Sequence, residues 1–264
     1  MKKALIFIVL LLAISLSACQ TKPSYEAVFE EFETYLDENN ESYLERIEFI
    51  NRITDELIKG VVKVKKLSSN SSSITLGSGI VFHETEIYYY IITNNHVVYD
   101  DNILESDYFI YDHQNNSYPA TYIIGDNDYD LAVLRIKKRI SEFSIVSFAR
   151  EDLAIDQHLT TVGYPESQSN AINMGYLFDY GQISIDLPHT IINVQFEVMI
   201  ADLPVKVGSS GSGAINDDFG LVGIIYAGNF TGGSNISDYA FLIPISKVKE
   251  FLETNNLSYK EMPA

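Results

Sequence analysis

GSSGSG at residues 208–213 is a run of small residues, followed at once by the apolar Ala214 and Ile215. Without bulky side chains the backbone can turn tightly, and a ligand can approach it closely. The serines also supply hydroxyl groups. Acyl transfer requires such a place, where a serine oxygen stands beside bare backbone N–H groups that can stabilise an oxyanion. The same composition also fits a flexible linker, so the loop alone leaves both interpretations open.

Two other stretches favour the catalytic interpretation of residues 208–213, which we call the serine loop. The first is TNNHVV at residues 93–98, and the second is DYDLAVL at residues 128–134. Together with the serine loop they place His96, Asp130 and a serine in that order along the chain. This is the order of the chymotrypsin type of catalytic triad, whereas subtilisins and α/β-hydrolases have other orders.

The three stretches resemble the trypsin-like serine proteases, and most of all the bacterial HtrA/Deg branch, in which TNxHVV, DxDLAVL and GNSGG occur in this order. GSSGSGAIN also resembles the GNSGSP loop of the glutamyl endopeptidases. The resemblance runs from about Val61 to Leu252, and it implies a serine endopeptidase that forms an acyl-enzyme with unfolded or exposed polypeptides. The loop departs from the family pattern at Ser209, where the family has Asn or Asp. A trypsin-fold protein that binds a partner without cleaving it is therefore the alternative.

The resemblance assigns a role to each motif. It makes Ser210 the nucleophile, His96 the general base, and Asp130 the residue that holds the imidazole in the right tautomer. It makes Gly208 and Ser210 the two backbone N–H donors of the oxyanion hole.

Two positions in this assignment have rivals. Ser212 and, with less support, Ser209 are competing nucleophiles, but Ser210 alone has a glycine two residues before it and one residue after it. Asp128 competes with Asp130, which directly precedes the apolar run where the family keeps its aspartate. We therefore expect Ser210 and Asp130 to carry the chemistry.

The substrate pocket is predicted by counting along the resemblance. In trypsin-like enzymes the residue six positions before the nucleophile lies at the pocket floor. In this chain that residue is Pro204. The segment from Tyr226 to Gly228 is expected to line the pocket and to pair with the substrate backbone. None of these residues is charged, and an uncharged pocket binds by burying apolar surface, so we expect cleavage after small or medium aliphatic residues. The likeness to glutamyl endopeptidases leaves cleavage after Glu as the alternative.

β-strand patterns dominate the chain from Val61 onward. They predict an all-β protein of the trypsin-like type, with two six-stranded antiparallel barrels in residues 61–152 and 153–264. A C-terminal helix, Ile245–Glu253, is expected after Pro244, and we expect no PDZ domain in the few residues from there to Ala264. The predicted strands are Val61–Val64, Ile74–Phe82, Ile87–Thr93, Tyr108–Tyr111, Tyr118–Ile124, Leu131–Ile136, Leu159–Gly163, Met174–Ile185, Ile191–Ile200, Ser212–Asn216, Leu221–Tyr226 and Tyr239–Ile243.

The N-terminus has the pattern of a secretory signal. Residues 1–18 include two lysines, an apolar segment and a small-residue end. LSAC at residues 16–19 resembles a bacterial lipobox, in which the cysteine is lipidated and becomes the first residue of the mature protein. We therefore expect a lipid on Cys19, the only cysteine, to anchor the protein on the extracytoplasmic face of a bacterial membrane. Residues 19–60 predict an acidic segment with two short helices.

The charge of the chain limits its partners. A formal net charge of −18 argues against binding nucleic acid or anionic lipid through charge. A calcium loop that starts at Asp126 would need glycine and glutamate where Leu131 and Lys137 stand. No His/Cys cluster suggests zinc. We expect polypeptide substrates, no metal and no cofactor.

Overall fold

The structure is a computed structural model, and it describes residues 44–68, 73–99, 106–139, 143–167, 171–183, 185–187, 190–192, 194–230 and 234–263. The chain divides into two compact units, Met1–Ile50 and Asn51–Ala264. In the first unit, residues 44–50 are helical. The second unit begins with helical residues 51–55 and a 3-10 turn, Leu57–Gly60. The first predicted helix and Cys19 lie outside the described residues.

Six antiparallel strands form the first barrel, and each lies where the sequence predicts a strand. The barrel is filled by apolar side chains that alternate along the strands, such as Val62, Val64 and Ile91. The strands are β1 (Val61–Ser68), β2 (Ile74–Glu84), β3 (Tyr88–Thr93), β4 (Ser106–Tyr111), β5 (Ser117–Asp126) and β6 (Leu131–Lys137). They close in the order β1-β2-β3-β6-β5-β4, with β4 pairing back on β1.

Six further strands form the second barrel around its own apolar core, which includes Leu177, Met199 and Leu242. These strands are β7 (His158–Gly163), β8 (Ala171–Gly181), β11 (Val198–Asp202), β12 (Gly213–Ile215), β13 (Leu221–Gly228) and β14 (Ala240–Pro244). They close in the order β11-β14-β13-β12-β7-β8. The prediction of an all-β protein with two six-stranded antiparallel barrels is confirmed.

The segment between β8 and β11 differs from the prediction. The sequence predicts two long barrel strands, Met174–Ile185 and Ile191–Ile200. The structure ends β8 at Gly181 and begins β11 at Val198, and it places a separate two-stranded sheet between them, β9 (Ile185–Leu187) and β10 (Thr190–Ile192). The residues of this small sheet are as apolar and β-branched as those of the barrel, so composition alone could not separate them.

Strand register brings the three motifs to the ends of particular strands. Thr93 at the end of β3 pairs with Ala132 near the start of β6, so residues 94–96 lie beside residue 130. In the second barrel Gly213 pairs with both Val162 of β7 and Ile224 of β13. The serine loop therefore enters the barrel between these two strands.

Two further α-helices lie in the described part of the second unit. The first, α1 (Asn95–Val98), is a single turn that follows β3. The second, α2 (Ile245–Thr254), follows Pro244 as predicted and packs one apolar face on β13 and β14, with Val248, Phe251 and Leu252 buried. None of the helices in the described ranges is long and apolar enough to cross a membrane.

Candidate active site

Asp130 ends the turn between β5 and β6 in a left-handed backbone conformation, with φ of 50°. Residues other than glycine seldom adopt this conformation unless their surroundings impose it. The Asp130 carbonyl accepts hydrogen bonds from the backbone N–H of Asn95 at 3.1 Å and from Nδ2 of Asn94 at 3.0 Å. Both asparagines are buried, so they fix residue 130 relative to α1.

His96 lies on α1, which is anchored because its neighbours Val97 and Val98 are buried in the core of the first barrel. His96 Nδ1 lies 2.8 Å from Asp130 Oδ2, and the backbone N–H of His96 donates to Asp130 Oδ1 at 2.9 Å. A carboxylate only accepts hydrogen bonds, so Nδ1 carries a proton, and in the neutral imidazole Nε2 keeps a lone pair. The His96 side chain is 17% exposed and that of Asp130 only 4%, so the imidazole can be reached from solvent.

The three serines of the serine loop have different surroundings. Ser209 and Ser212 are buried, at 4% and 2% exposure, whereas Ser210 is half-buried. Ser209 Oγ accepts from the Lys206 backbone N–H, and Ser212 Oγ has no hydrogen-bond partner in the described part of the chain. Ser210 is thus the one serine of this loop that a substrate can reach.

The Ser210 hydroxyl donates to the backbone carbonyl of Tyr226 at 3.4 Å, which is a long hydrogen bond. Among the residues that the structure describes, Ser210 Oγ makes no hydrogen bond to His96. Hydrogen bonds between catalytic groups are often long or unformed before substrate binds. The hydroxyl is therefore held only weakly.

Two backbone N–H groups of the serine loop have no acceptor in the described part of the chain. Gly208 and Gly211 have φ of 94° and 87°, a conformation that strongly favours glycine. Within the loop, the N–H groups of Ser209, Gly211 and Ser212 donate to backbone carbonyls. Those of Gly208 and Ser210 have no acceptor among the described residues. The loop thus presents two unused donors, which is the donor set that an oxyanion requires.

Tyr226, predicted to line the substrate pocket, has its side chain buried. Its phenol oxygen has no hydrogen-bond partner within the described ranges. Burial raises the pKa of the Tyr226 phenol, and the Asp130 carboxylate nearby adds to the rise. The backbone carbonyl of Tyr226, rather than its side chain, meets Ser210.

Gly228 lies against Val205 and Ser237, and each has a side-chain atom only 2.7 Å from where a Cβ on Gly228 would be. Ser237 is buried, and its hydroxyl is in hydrogen-bond contact with both the N–H and the carbonyl of Val205. Pro204, predicted as the pocket floor, is exposed and is not among the nearest neighbours of Gly228. The side chains nearest to Gly228 are therefore small or medium and uncharged.

Residues 77–224, just over half of the chain, match the family of the trypsin-like peptidase domain. The chain belongs to this family. The peptidase domain begins within β2 and ends within β13, so it contains His96, Asp130 and the whole serine loop.

The chain is also similar to individual proteases. The chain is 24% identical over 240 residues to the serine protease HtrA-like of Staphylococcus aureus (strain bovine RF122 / ET3-1), an alignment that covers 83% of this chain and 29% of that protein. The chain thus spans less than a third of the length of this relative. Its fold is similar to that of the HtrA-type protease AlgW with tripeptide, with a TM-score of 0.63, 20% identity, and coverage of 78% of this chain and 62% of that one.

A second solved structure shows the same fold. It is the active form of the Rv3671c protease from M. tuberculosis, with a TM-score of 0.62, 18% identity, and coverage of 78% of this chain and 84% of that one. The resemblance to trypsin-like proteases of the HtrA type, inferred from three motifs, is confirmed.

Sequence reasoning missed Ser78, through which the first barrel holds the serine loop. The backbone N–H of Ser78 in β2 donates to the Ser210 carbonyl at 2.7 Å. The neighbouring Gly77 has no room for a side chain, since a Cβ there would lie 3.0 Å from the same carbonyl oxygen. GSG at residues 77–79 is the signal that could have identified this contact, because small residues inside a strand mark a close backbone approach.

Proposed function

We propose that the chain is a serine endopeptidase in which Ser210 is the nucleophile, His96 the general base and Asp130 the residue that orients the imidazole. The observation that carries the proposal is the His96–Asp130 pair, joined at 2.8 Å through Nδ1 so that Nε2 is free to accept a proton. The accessibility of Ser210, compared with the burial of Ser209 and Ser212, supports the choice of nucleophile.

In this mechanism His96 Nε2 takes the proton of the Ser210 hydroxyl as Oγ attacks the carbonyl carbon of the scissile peptide bond. Asp130 stabilises the imidazolium that forms. The backbone N–H groups of Gly208 and Ser210 donate to the negative oxygen of the tetrahedral intermediate. His96 then gives its proton to the leaving amine, and a water molecule activated by His96 hydrolyses the acyl-enzyme.

The substrate binds as an extended strand along the end of β13. β12 pairs with β13 no further than Gly213 with Ile224, whereas β14 pairs with β13 up to Gly228. One edge of Ala227 and Gly228 is therefore left without a strand partner among the described residues. An exposed strand edge of this kind can add a peptide by main-chain hydrogen bonds, so the substrates are unfolded or exposed segments of polypeptides.

The side chain before the scissile bond is small or medium and aliphatic. Val205 and Ser237 beside Gly228 offer apolar surface and no charge that could pair with Arg, Lys or Glu. An unpaired charged side chain would pay a desolvation penalty there. A peptide-library profile with Val, Ala, Ile or Leu before the cut supports this specificity, and a dominant Arg, Lys or Glu contradicts it.

Labelling with a fluorophosphonate probe tests the catalytic proposal. The wild-type protein should be labelled and should cleave unfolded casein, whereas Ser210→Ala should do neither. Ser212→Ala is the matched control, because it removes a buried hydroxyl of the same loop, and it should be labelled like the wild type. Labelling that survives in Ser210→Ala and disappears in Ser212→Ala would show that Ser212, and not Ser210, is the nucleophile.

A trypsin-fold module that binds a partner without cleaving it is the second candidate. The observation in its favour is that the Ser210 hydroxyl donates to Tyr226 and not to His96 among the described residues. A folded wild-type protein that neither reacts with the probe nor cleaves casein would favour this function.

A lipid on Cys19 anchors the protein on the extracytoplasmic face of a bacterial membrane. The support for this proposal is the sequence LSAC at residues 16–19, after an apolar segment. Two acyl chains give stable membrane attachment, which a single chain does not. Wild-type protein from a bacterial host should enter the detergent phase in phase partitioning, and Cys19→Ser should stay in the aqueous phase. Equal partitioning of the two proteins would refute the anchor.

A further inference from the structure

Two hydrogen bonds hold the carbonyl groups on either side of Gly208. The Val207 carbonyl accepts from the backbone N–H of Glu166 at 2.7 Å, and the Gly208 carbonyl accepts from the Ser78 hydroxyl at 2.9 Å. The carbonyl and N–H of a trans peptide unit point in opposite directions. Because the Val207 carbonyl points at Glu166, the Gly208 N–H of the same peptide points away from Glu166.

The hydroxyl of Ser78 makes two hydrogen bonds at once. It donates to the Gly208 carbonyl and accepts from the backbone N–H of Tyr164 at 2.9 Å. Ser78 is fully buried, so water cannot replace these bonds if the hydroxyl is removed. One side chain of the first barrel thus joins two segments of the second barrel, Tyr164 and the serine loop.

Glu166 is held in an unusual conformation in the turn Pro165–Ser167. Its φ and ψ are 49° and 28°, in the left-handed region, where a non-glycine residue is strained. Its carboxylate pairs with Lys206 Nζ at 3.0 Å, and Lys206 lies two residues before Gly208. An exposed ion pair contributes little stability by itself. Here it joins the turn to the start of the serine loop at the point where the Glu166 N–H must be placed.

Gly208 itself leaves no room for another residue. Its φ is 94°, and a Cβ would lie 2.8 Å from the Tyr164 carbonyl oxygen and 3.1 Å from the Glu166 nitrogen. Because Gly208 has no side chain, its φ can take either sign, so the plane of the Val207–Gly208 peptide can rotate more easily. A peptide that can rotate needs to be held if its N–H is to face a substrate.

We infer that the Ser78 hydroxyl and the Glu166 N–H, together called the Gly208 clamp, fix the Gly208 peptide so that its N–H is available to an oxyanion before substrate binds. The inference rests on the proposed function of Gly208 as an oxyanion donor. Ser78 and Glu166 are positioning residues, since they act through Gly208 and do not touch the reacting atoms. Loss of the clamp lets the peptide rotate and removes one donor from the transition state.

Steady-state kinetics on a peptide substrate test the Ser78 half of the clamp. Outright removal of one oxyanion donor costs about 10²–10³ in kcat in other serine proteases. Ser78→Ala should lower kcat by about tenfold to a hundredfold, with KM within about twofold, because the donor acts only in the transition state. Ser212→Ala, the matched control, should keep the wild-type kcat. A wild-type kcat in folded Ser78→Ala would overturn the inference.

Two substitutions of Glu166 test the other half of the clamp. Glu166→Pro removes the N–H and, because proline fixes φ near about −65°, it also takes residue 166 out of its left-handed conformation. Both changes release the Val207 carbonyl, so this variant should lower kcat as Ser78→Ala does. Glu166→Gly keeps the N–H and accepts the left-handed backbone, so it should retain most of the activity although it loses the ion pair with Lys206. The two Glu166 variants test the clamp even if Ser78→Ala does not fold. Equal activity of the Pro and Gly variants would overturn the role of the Glu166 N–H.

A readout without catalysis separates this inference from the proposed function. In protein labelled uniformly with ¹³C and ¹⁵N, the amide signal of Gly208 can be assigned through its backbone connections to Val207 and Ser209. The clamp predicts that Ser78→Ala moves or broadens this signal and that Ser212→Ala moves it less. If the wild type fails to react with fluorophosphonate while the signal responds as expected, the catalytic proposal fails and the clamp stands. An unchanged Gly208 signal in Ser78→Ala overturns the clamp whatever the activity.

Discussion

The proposed acid–base half of the site, His96 and Asp130, and its proposed nucleophile half, the serine loop, are held in different ways. In the acid–base half, side chains and backbone of neighbouring residues 94–96 converge on both the carboxylate and the carbonyl of Asp130. In the nucleophile half, the hydroxyl of Ser210 makes one long hydrogen bond, at 3.4 Å. The carboxylate and imidazole of the first half are therefore fixed by direct hydrogen bonds, whereas the position of the Ser210 hydroxyl depends mainly on the path of its backbone.

The origin of the supporting residues also differs. The groups that fix Asp130 come from one short motif of the first barrel, TNNHVV. The groups that fix the serine loop come from other places in the chain, which include Ser78 in β2, Glu166 in the turn after β7 and Ile225 in β13. The acid–base half is therefore self-contained, whereas the nucleophile half can be lost through residues far from the serine loop in sequence. The predictions below test this difference.

Asp130→Asn should have the largest effect. An asparagine would present an N–H or a weaker acceptor to His96 and favour the wrong tautomer, so kcat should fall by about 10⁴. Peptide cleavage by the purified variant measures this loss. The fold should persist, because the Asp130 carbonyl keeps its bonds to Asn94 and Asn95.

Asp128→Asn is the control for this prediction. Asp128 is exposed, and its backbone N–H donates to Asp126 Oδ1, a bond that the substitution leaves intact. The control should cleave like the wild type. If Asp128→Asn loses as much activity as Asp130→Asn, the self-contained description of the acid–base half is wrong.

The same difference decides what could be predicted from the sequence. His96 and Asp130 could be predicted because each lies in a recognisable motif, TNNHVV and DYDLAVL. The barrel strands could be predicted because their apolar alternation is local. Ser78 and Glu166 could not, because their contacts to Gly208 join segments far apart in the chain. The sequence also gives no sign that Glu166 has a left-handed backbone, because glutamate seldom adopts this conformation.

The surroundings of Gly228 show the same limit. Counting along the family pattern indicates Pro204 as the pocket floor, which stays a prediction, and the contacts of Val205 and Ser237 with Gly228 were not predicted. A shift of one residue along an extended segment exchanges its two faces, and no residue in PVKV marks which face turns inward. Ser237 lies in a segment without a motif, so nothing in the sequence connects it with Val205.

Gly211→Ala should have the next largest effect, on the nucleophile half. The new Cβ would collide with the Ser78 carbonyl oxygen and lie 2.6 Å from Thr93 Oγ1, at a φ of 87°. Backbone strain and overpacking together should lower the free energy of unfolding by about 2–5 kcal/mol. Urea denaturation of the inactive Ser210→Ala background measures this without self-cleavage.

Gly181→Ala provides the comparison for Gly211. A Cβ on Gly181 at the end of β8 would meet only the flexible Cδ1 atom of Ile200 at 3.3 Å, and its backbone has no positive φ. This variant should stay within about 1 kcal/mol of the parent. Equal stability losses at Gly181 and Gly211 would show that the serine loop has no special dependence on its glycine.

Asp112→Asn should have the smallest effect on the protein. It tests whether hydrogen bonds between residues close in sequence also stabilise the first barrel away from the site. Asp112 is buried after β4, and its carboxylate accepts hydrogen bonds from Gln114, Asn116 and Tyr118. Burial alone would raise the pKa of Asp112, but the hydrogen bonds from Asn116, Tyr118 and Gln114 outweigh burial and lower it below the ordinary value.

Because the pKa of Asp112 is lower in the folded than in the unfolded chain, its contribution to stability is complete above the unfolded value of about 4 and is lost as pH falls through the folded value. At pH 7, Asp112→Asn should lower the free energy of unfolding by about 1–3 kcal/mol, since an amide cannot accept all the hydrogen bonds of the carboxylate. Urea denaturation at pH 7 and at pH 3 should show this difference shrinking at the lower pH, while peptide cleavage at pH 7 stays at the wild-type rate. A stability difference that is the same at both pH values would mean that the Asp112 carboxylate is not what holds this turn.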